Sequence, residues 1–474
     1  MLGAVATATA SASAGGAVAR PDLVLNDASG LNATRVRRHW RPLSRDASLH
    51  QQLRLELKAA AAAGRPVCVG GARHSMGGQS LAADGIAVTL DRGWLEPDAS
   101  RSTYLASAGA RWRDVVPALD KIGFAPKVTQ ANNDFTVGGA FSVNVHGWAA
   151  PLGPMGSTVQ AVRLMLADGE IVRCSPTVEP GLFRLAMGGY GLFGVILDLE
   201  VEMVRNTRLS PRFRRLPAQG FGPAFAAALH RPGVRMGYGR LSVSRDRFLE
   251  EAIMVTYQEI PGDPLPLAKH DAGPMDELTR RIYRAQTGSE AWKELRWLAE
   301  TQLPPRLQGK PVSRNSLLDS PVSDLAERRP DRSDILHEYF LPPARLGAFL
   351  ATCREIIPKS GAELLNVTLR YVGADPKSVM AFAPQARVAA VMSFSQKLSQ
   401  AADQRMKPVT QALIDAALAQ GGSFYLPYRL HARPDQLARA YPGLDHFIEA
   451  KRRIDPGGLF RNSMWDSYFA RRAA

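Results

Sequence analysis

Apolar and polar positions alternate along the chain in two distinct textures. Residues 47–63 (ASLHQQLRLELKAAAAA) form an unbroken run of good helix formers that stops at Gly64, which predicts a helix. The segment PVCVGG (66–71) follows as a short apolar run and predicts a buried strand leading straight into glycines. IAVTLD (86–91) predicts another strand. STYLASAGA (102–110) alternates towards a turn, and WRDVVPALDKIG (112–123) predicts a short helix ending at Gly123. AVRLMLADGEIVRC (161–174) predicts a hairpin with Asp168-Gly169 at its turn. VILDLEVEMV (195–204) predicts a long alternating strand. Strands and helices thus mix around one apolar core over the first 205 residues, an α+β pattern.

The texture changes after Asn206. Pro-rich and Arg-rich segments alternate with helical ones such as AFAAALH (224–230) and strand-like ones such as EAIMVTYQEI (251–260). Residues 261–333 read as loop-rich. ILHEYFLP, LLNVTLRYV and AAVMSFSQ predict three strands, and 344–357 and 403–419 predict helices. The expectation is a second α+β domain built on an antiparallel sheet. From about residue 441 a helix (DHFIEAKRRI) leads into DPGGLFRN. No internal repeat is visible. With 474 residues, a division into two domains is expected: 31–205, then 206–440, with 441–474 as a C-terminal tail.

Composition adds limits. Hydrophobic residues make up 45% and charged residues 22%, as in ordinary water-soluble globular proteins. The formal net charge of +15 raises nucleic acid as a partner, but only 11 of the 59 basic residues are Lys and no block of like charge occurs. No nucleic-acid partner is expected. Cys68, Cys174 and Cys353 have no metal-like spacing and lie in apolar runs, so inert buried thiols are expected, with neither a metal site nor a disulfide framework. No apolar run is long enough for a membrane span. Residues 1–30 begin with a small-residue, low-complexity stretch that lacks a basic start and an apolar centre. A disordered tail is favoured over an export-signal remnant, and with it a cytoplasmic over an exported location.

Three glycine-rich segments carry the chemistry. The first, Gly70-Gly71-Ala72-Arg73-His74-Ser75-Met76-Gly77-Gly78-Gln79, follows a predicted strand and holds a histidine among its glycines. The second is Thr136-Val137-Gly138-Gly139-Ala140-Phe141-Ser142-Val143-Asn144-Val145-His146-Gly147, and the third is Gly188-Gly189-Tyr190-Gly191-Leu192-Phe193-Gly194-Val195-Ile196. Glycine allows close backbone approach, so such loops can aim N–H groups at a pyrophosphate. The first segment lacks GxGxxG, which excludes a Rossmann fingerprint there. Three small-residue loops in one domain point to a long ligand lying against backbone.

In this order and spacing, GGARHS…GQ, TVGGAFSVNVHG and GGYGLFGVI resemble the FAD-binding (PCMH-type) domain of the vanillyl-alcohol-oxidase superfamily. The resemblance is nearest to aldonolactone oxidases, alditol oxidases and cytokinin dehydrogenases. KRRIDPGGLFRN is similar to the family's returning C-terminal tail. The resemblance covers roughly residues 45–205 and 335–465. It implies FAD as cofactor, attached through its 8α carbon to His74, with residues 70–79 at the pyrophosphate, among them Gly70, Gly71, Ala72, Arg73, Ser75, Met76 and Gln79. It implies that Thr136, Gly138, Gly139, Ser142, His146 and Gly147 line the cofactor, and that Val195 and Ile196 meet its adenine end. No cysteine lies between Cys68 and Cys174, so a single link is expected.

The substrate side departs from these relatives. The Glu-x-Arg strand of the lactone and alditol branches corresponds to NVTLRYV, with Thr368 for the Glu and Arg370 kept. Their His-Trp-Gly-Lys motif corresponds to YLPYRLHA, with Arg429 for the Lys and His431 two residues on. The acidic residue of the cytokinin branch corresponds to Ala131, with Asp134 nearby. Candidates for substrate chemistry are Arg370, Arg429, Glu338 and His431, since alcohol oxidation needs a base for the hydroxyl proton and a cation for the reduced flavin. The expected activity is oxidation of a CH–OH group in a sugar-, lactone- or polyol-like small molecule, with oxygen or another carrier as electron acceptor. Oxidation of a C–N or other activated C–H bond, or a flavin-loaded protein without turnover, are the alternatives. Monomer and homodimer both stay open.

Overall fold

A computed structural model describes residues 23–42, 47–267, 274–307, 309–321 and 329–470. The reading of the N-terminal stretch as a tail falls mostly outside these residues. The fold is α+β, with an FAD-type domain followed by a second domain built on antiparallel strands.

The first domain holds two sheets. One is parallel and three-stranded, with Ile86–Thr89 between Arg38–Trp40 and Val67–Gly70. Helix Ala47–Ala62 covers it, burying Leu53, Leu57 and Ala60 against Val67, Ile86 and Val88. The other sheet is antiparallel. Its path runs Ile171–Cys174, Val159–Met165, Val195–Arg205, Thr103–Ser107, Leu95–Asp98, and Phe124–Pro126 pairs with the far end of the central strand. Asp168-Gly169 makes the turn between the first two, with Asp168 Oδ1 accepting from the Glu170 N–H at 2.9 Å. Helix Trp112–Asp120 seals the lower core with Trp112, Val115 and Leu119.

The second domain is an eight-stranded antiparallel sheet. In order its strands are Val312–Ser313, Arg208–Pro217, Glu251–Glu259, Val234–Leu241, Glu363–Val372, Arg387–Lys397, Arg332–Leu341 and Ser423–Phe424. Helices Phe221–Leu229, Leu346–Ser360 and Gln400–Ala419 pack their apolar sides into one large core with it. The strand Arg208–Pro217 lies in a stretch whose Arg and Pro content hides it. Pro211 fits because Val312–Ser313 pairs only with Arg208 and Leu209, which leaves the rest of that edge open. The expectation of a loop-rich 261–333 is corrected for its described part. Helices Pro274–Ala285 and Glu290–Leu307 lie there, and charges spaced along them mask the pattern. They are anchored by buried Tyr283 and Trp297. No helix among the described residues is long and apolar enough to cross a membrane. All three cysteines are free and buried, and burial pushes the Cys68 thiol up to about 12.

The tail returns to the first domain. After helix Leu444–Ile454, Phe460 bridges to Val67 and Arg461 N–H donates to Val67 O. Lys451 and Asp455 form an ion pair inside the protein, and Asp455 also accepts from the N–H groups of Leu459 (2.9 Å) and Phe460 (2.8 Å). Removing one partner of a buried pair strands the other charge. Asp455→Ala is therefore expected to lower stability by about 3–5 kcal/mol, read as a lower urea midpoint. An unchanged midpoint would refute this account of the tail.

Candidate functional site

Strand Val67–Gly70 delivers the chain into the first glycine loop. There the backbone comes so close to the second loop that a Cβ on Gly71 would lie 2.1 Å from Thr136 Oγ1. Only glycine permits that approach. Arg73 takes a left-handed conformation (φ 57°), and its guanidinium folds back to donate to Ser80 O and to Thr89 Oγ1 at 2.8 Å. The His74 ring packs on Phe135 with centroids 4.2 Å apart. Burial lowers the His74 pKa most. Asp134 opposes that shift and Arg111 reinforces it. The imidazole is therefore neutral at neutral pH, with a free lone pair.

Thr136 caps helix Val137–Ser142 by accepting from Gly139 N–H at 3.2 Å. In the third loop Tyr190 adopts φ 54°, and its carbonyl accepts from Asn462 of the tail at 3.0 Å. A bulky residue at positive φ is uncommon and clusters at binding sites.

The three loops and strand residues Leu336, Glu338, Arg370 and Val391 of the second domain line one cavity that is partly open to solvent. Gly70, Gly71, Ala72, Arg73, His74, Ser75, Gln79, Thr136, Gly139, Ser142 and His146 border it. A smaller cleft lined by Gly138, Gly191, Gly194 and Ile196 shares Gly70, Gly71 and Gly139 with it. Three expected cofactor residues border neither part. Gly147 is needed for packing, since a Cβ there would sit 1.9 Å from Thr129 O. Val195 is fully buried in the core between the two sheets. Met76 is held by its backbone, with N–H to Pro427 O at 2.7 Å and O accepting from Asn32 and Arg429. Gln79 borders the space, but its carboxamide is occupied by protein backbone at Gly77, Leu426 and Tyr428.

Of the four candidates for substrate chemistry, two face the space and two do not. Glu338, 2% exposed, has Oε1 at 2.5 Å from His146 Nε2 and accepts from the Tyr428 hydroxyl at Oε2, 3.1 Å. Burial pushes its pKa up, but His146, Arg370 and Tyr428 outweigh burial and hold it below the usual glutamate value. Arg370 lines the same space, and its buried Nε has no hydrogen-bond partner. Arg429 and His431 lie elsewhere. Arg429 donates to both oxygens of Asp403 (2.9 and 2.6 Å), to Met76 O and to Asn32 Oδ1. His431, 4% exposed, is bonded at both nitrogens, to Thr410 Oγ1 and Asp403 Oδ1. Their side chains hold the fold and do not reach the cavity. The sequence reading missed Tyr190, Tyr425 and Tyr428, which line it. Tyr425 and Tyr428 stand in the same YLPYRLHA segment. The available signal was their spacing across Pro427, which turns the tyrosines inward and Arg429 away.

Residues 47–175 match the family described as FAD binding domain. Among curated proteins the chain is 36% identical over 144 residues to cytokinin dehydrogenase 9 of Oryza sativa subsp. japonica, covering 29% of this chain and 27% of that one. It is 36% identical over 147 residues to cytokinin dehydrogenase 8 of Oryza sativa subsp. indica, covering 28% of each. The chain carries an FAD-binding domain over residues 47–175. The match spans little more than a quarter of the length of these relatives. Two features of the FAD-domain chain fit the cofactor. The cleft is walled by glycines packed so closely that a Cβ on Gly71, Gly138 or Gly194 would collide with Thr136, Ala108 or Met165, and two residues that line the cavity, His146 and Arg370, each hold a buried nitrogen without a protein partner.

Asp403 yields a prediction about the residues outside the cavity. Burial alone would raise its pKa, but His431 and Arg429 depress it strongly. A depressed folded-state pKa means stability that is complete above the unfolded value, about 3.9, and lost as pH falls below it. Asp403→Asn is expected to lower stability at neutral pH and to flatten the acid loss, while flavin content stays at the wild-type level. Thermal unfolding against pH, with flavin absorbance, checks this. Loss of flavin without loss of stability would return Arg429 and His431 to the site.

Proposed function

We propose that this protein is an FAD-dependent oxidoreductase that removes hydride from a carbon bonded to nitrogen in a small-molecule donor. The observation that carries this reading is that Gly70, Gly71 and Gly139 of the glycine loops border a single space with buried Glu338 and His146 and half-buried Arg370. Bound flavin supplies a two-electron acceptor for hydride and passes the electrons on to oxygen or another carrier. The first-loop backbone would hold the pyrophosphate, and the strand start at Ile196 would meet the adenine end. His74, neutral and packed on Phe135, would be the single attachment point to the flavin ring. Arg370, with no hydrogen-bond partner for its Nε, would offset negative charge that develops on reduction.

The names of the curated relatives favour the C–N donor over the sugar-, lactone- or polyol-like one that the lactone and alditol branches suggest. The CH–OH reading keeps two specific supports. Ala131, which stands where the cytokinin branch has an acid, lines the cavity, and Arg370 is retained from the Glu-x-Arg strand.

Acid precipitation tests the cofactor link. Yellow colour is expected to stay with the wild-type pellet and to leave His74→Ala. Release of flavin from both would remove the covalent link and keep the flavoprotein. Flavin bleaching by secondary amines under anaerobic conditions, faster than by polyols, is the outcome expected of a donor panel, and the reverse order would reinstate the CH–OH reading.

A further inference from the structure

We propose that helix Glu290–Leu307 docks the protein on an anionic bilayer surface, lying flat in the interface with its outward face against the lipid. The polarity of this helix is inverted. Its inward face is polar and tied to the sheet below. Lys293 Nζ pairs with Glu363 at 3.0 Å, Arg296 donates to Leu365 O at 2.9 Å and to Asn366 Oδ1 at 3.0 Å, and Trp297 Nε1 donates to Glu251 Oε2 at 3.0 Å. Lys293, Trp297 and Thr301 are buried. Its outward face shows Trp292, Leu295 and Leu298, which are 41, 48 and 40% exposed. At about 3.6 residues per turn these three share a face with Ala291, Ala299 and Gln302. From Ala291 to Gln302 that face carries no charged residue, and Glu294 stands at its rim.

A surface helix ordinarily turns its apolar stripe to the core and its charges to water. Here three large apolar side chains lie side by side in water instead. A contiguous exposed patch of this kind marks an interaction site, whereas single exposed leucines do not.

Two observations choose the partner. A stable dimer interface buries about 800 Å² on each partner, far more than one helix face with three partly exposed side chains supplies. The chain also carries a net charge of +15, so a second copy is repelled and an anionic surface attracts. Strand Arg208–Pro217, against which the helix packs, adds exposed Arg212, Arg214 and Arg215 and contains no acidic residue. Tryptophan suits the boundary between headgroups and acyl chains, since its ring is apolar and its N–H polar. Apolar contact and charge attraction together hold such a helix in the interface plane.

The docking face also has a defined relation to the cavity. Asn366, which Arg296 holds, shares one face of its strand with Thr368 and Arg370. Arg370 lines the cavity. The helix therefore sits on the cavity side of the sheet, and docking turns that side towards the bilayer. This orientation is independent of which bond the flavin oxidises.

The test is co-sedimentation of the full chain with vesicles of phosphatidylcholine alone and of equal parts phosphatidylcholine and phosphatidylglycerol. Binding to the anionic vesicles only is expected, weakening as salt rises. Leu295→Glu combined with Leu298→Glu is expected to lower vesicle affinity about 10-fold or more, with the melting temperature unchanged because both side chains are exposed. Acyl chains carrying bromine are expected to quench tryptophan fluorescence in the bound wild type and not in bound Trp292→Phe. No pelleting with anionic vesicles, or equal affinity in wild type and the double variant, overturns the proposal. A dimer in lipid-free sedimentation velocity that the double variant abolishes also overturns it, and assigns the face to a second copy. Where the double variant does not fold, Trp292 decides: quenching that survives Trp292→Phe means docking by another face and overturns the proposal.

Discussion

The carboxamide of Gln79 joins the two halves of the site. Its Oε1 accepts from Gly77 N–H at 2.8 Å, and its Nε2 donates to Leu426 O at 2.6 Å and to Tyr428 O at 3.1 Å. Gln79 is 4% exposed. These bonds close the first glycine loop on itself and fasten it to the segment that carries Tyr425 and Tyr428. Met76 N–H to Pro427 O and Arg429 to Met76 O repeat the connection on either side. The cofactor wall and the substrate wall therefore share one anchor. A buried amide left without these partners would destabilise both at once.

The polar groups at the domain junction divide by whether they are satisfied. Asn144 donates to Asp375 Oδ2 and accepts from Gly156 N–H. Asp403, Arg429 and His431 complete one another in the same way. Such fully connected networks rigidify the junction. Two residues that line the cavity differ: His146 Nδ1 and Arg370 Nε are buried without a hydrogen-bond partner. Rigid surroundings with a few unmet donors and acceptors are what a positioned reaction needs, because the groups do not reorganise when charge develops.

The sequence discloses the cofactor side far better than the substrate side, for a physical reason. Close backbone approach can be met only by glycine, so loops 70–79 and 136–147 carry their constraint in residue type. Even there, position alone overreaches: Gly147 and Val195 satisfy packing, not ligand. The substrate side is built from strand residues, whose facing depends on register. His337 and Glu338 are neighbours on one strand and point to opposite sides. His337 packs beside His431, ring centroids 6.0 Å apart, while Glu338 meets His146. A motif aligned on Arg429 and His431 selects the wrong side of that division. The strand Arg208–Pro217 was hidden because a largely open edge tolerates proline that a central strand would not.

The pairing of His146 with Glu338 could not be read from spacing, because 192 residues separate them. Each taken alone has an ordinary explanation, a cofactor-lining histidine and a strand glutamate. What changes their meaning is that the second domain must dock before either has a partner. An unpaired Glu338 in this apolar setting would be driven towards its neutral form, and His146 would lose the acceptor that fixes its tautomer. Closure of the domain junction therefore does more than bury surface. It gives Glu338 the partner that keeps it charged, so that the cavity and the buried pair at its wall arise in the same folding event.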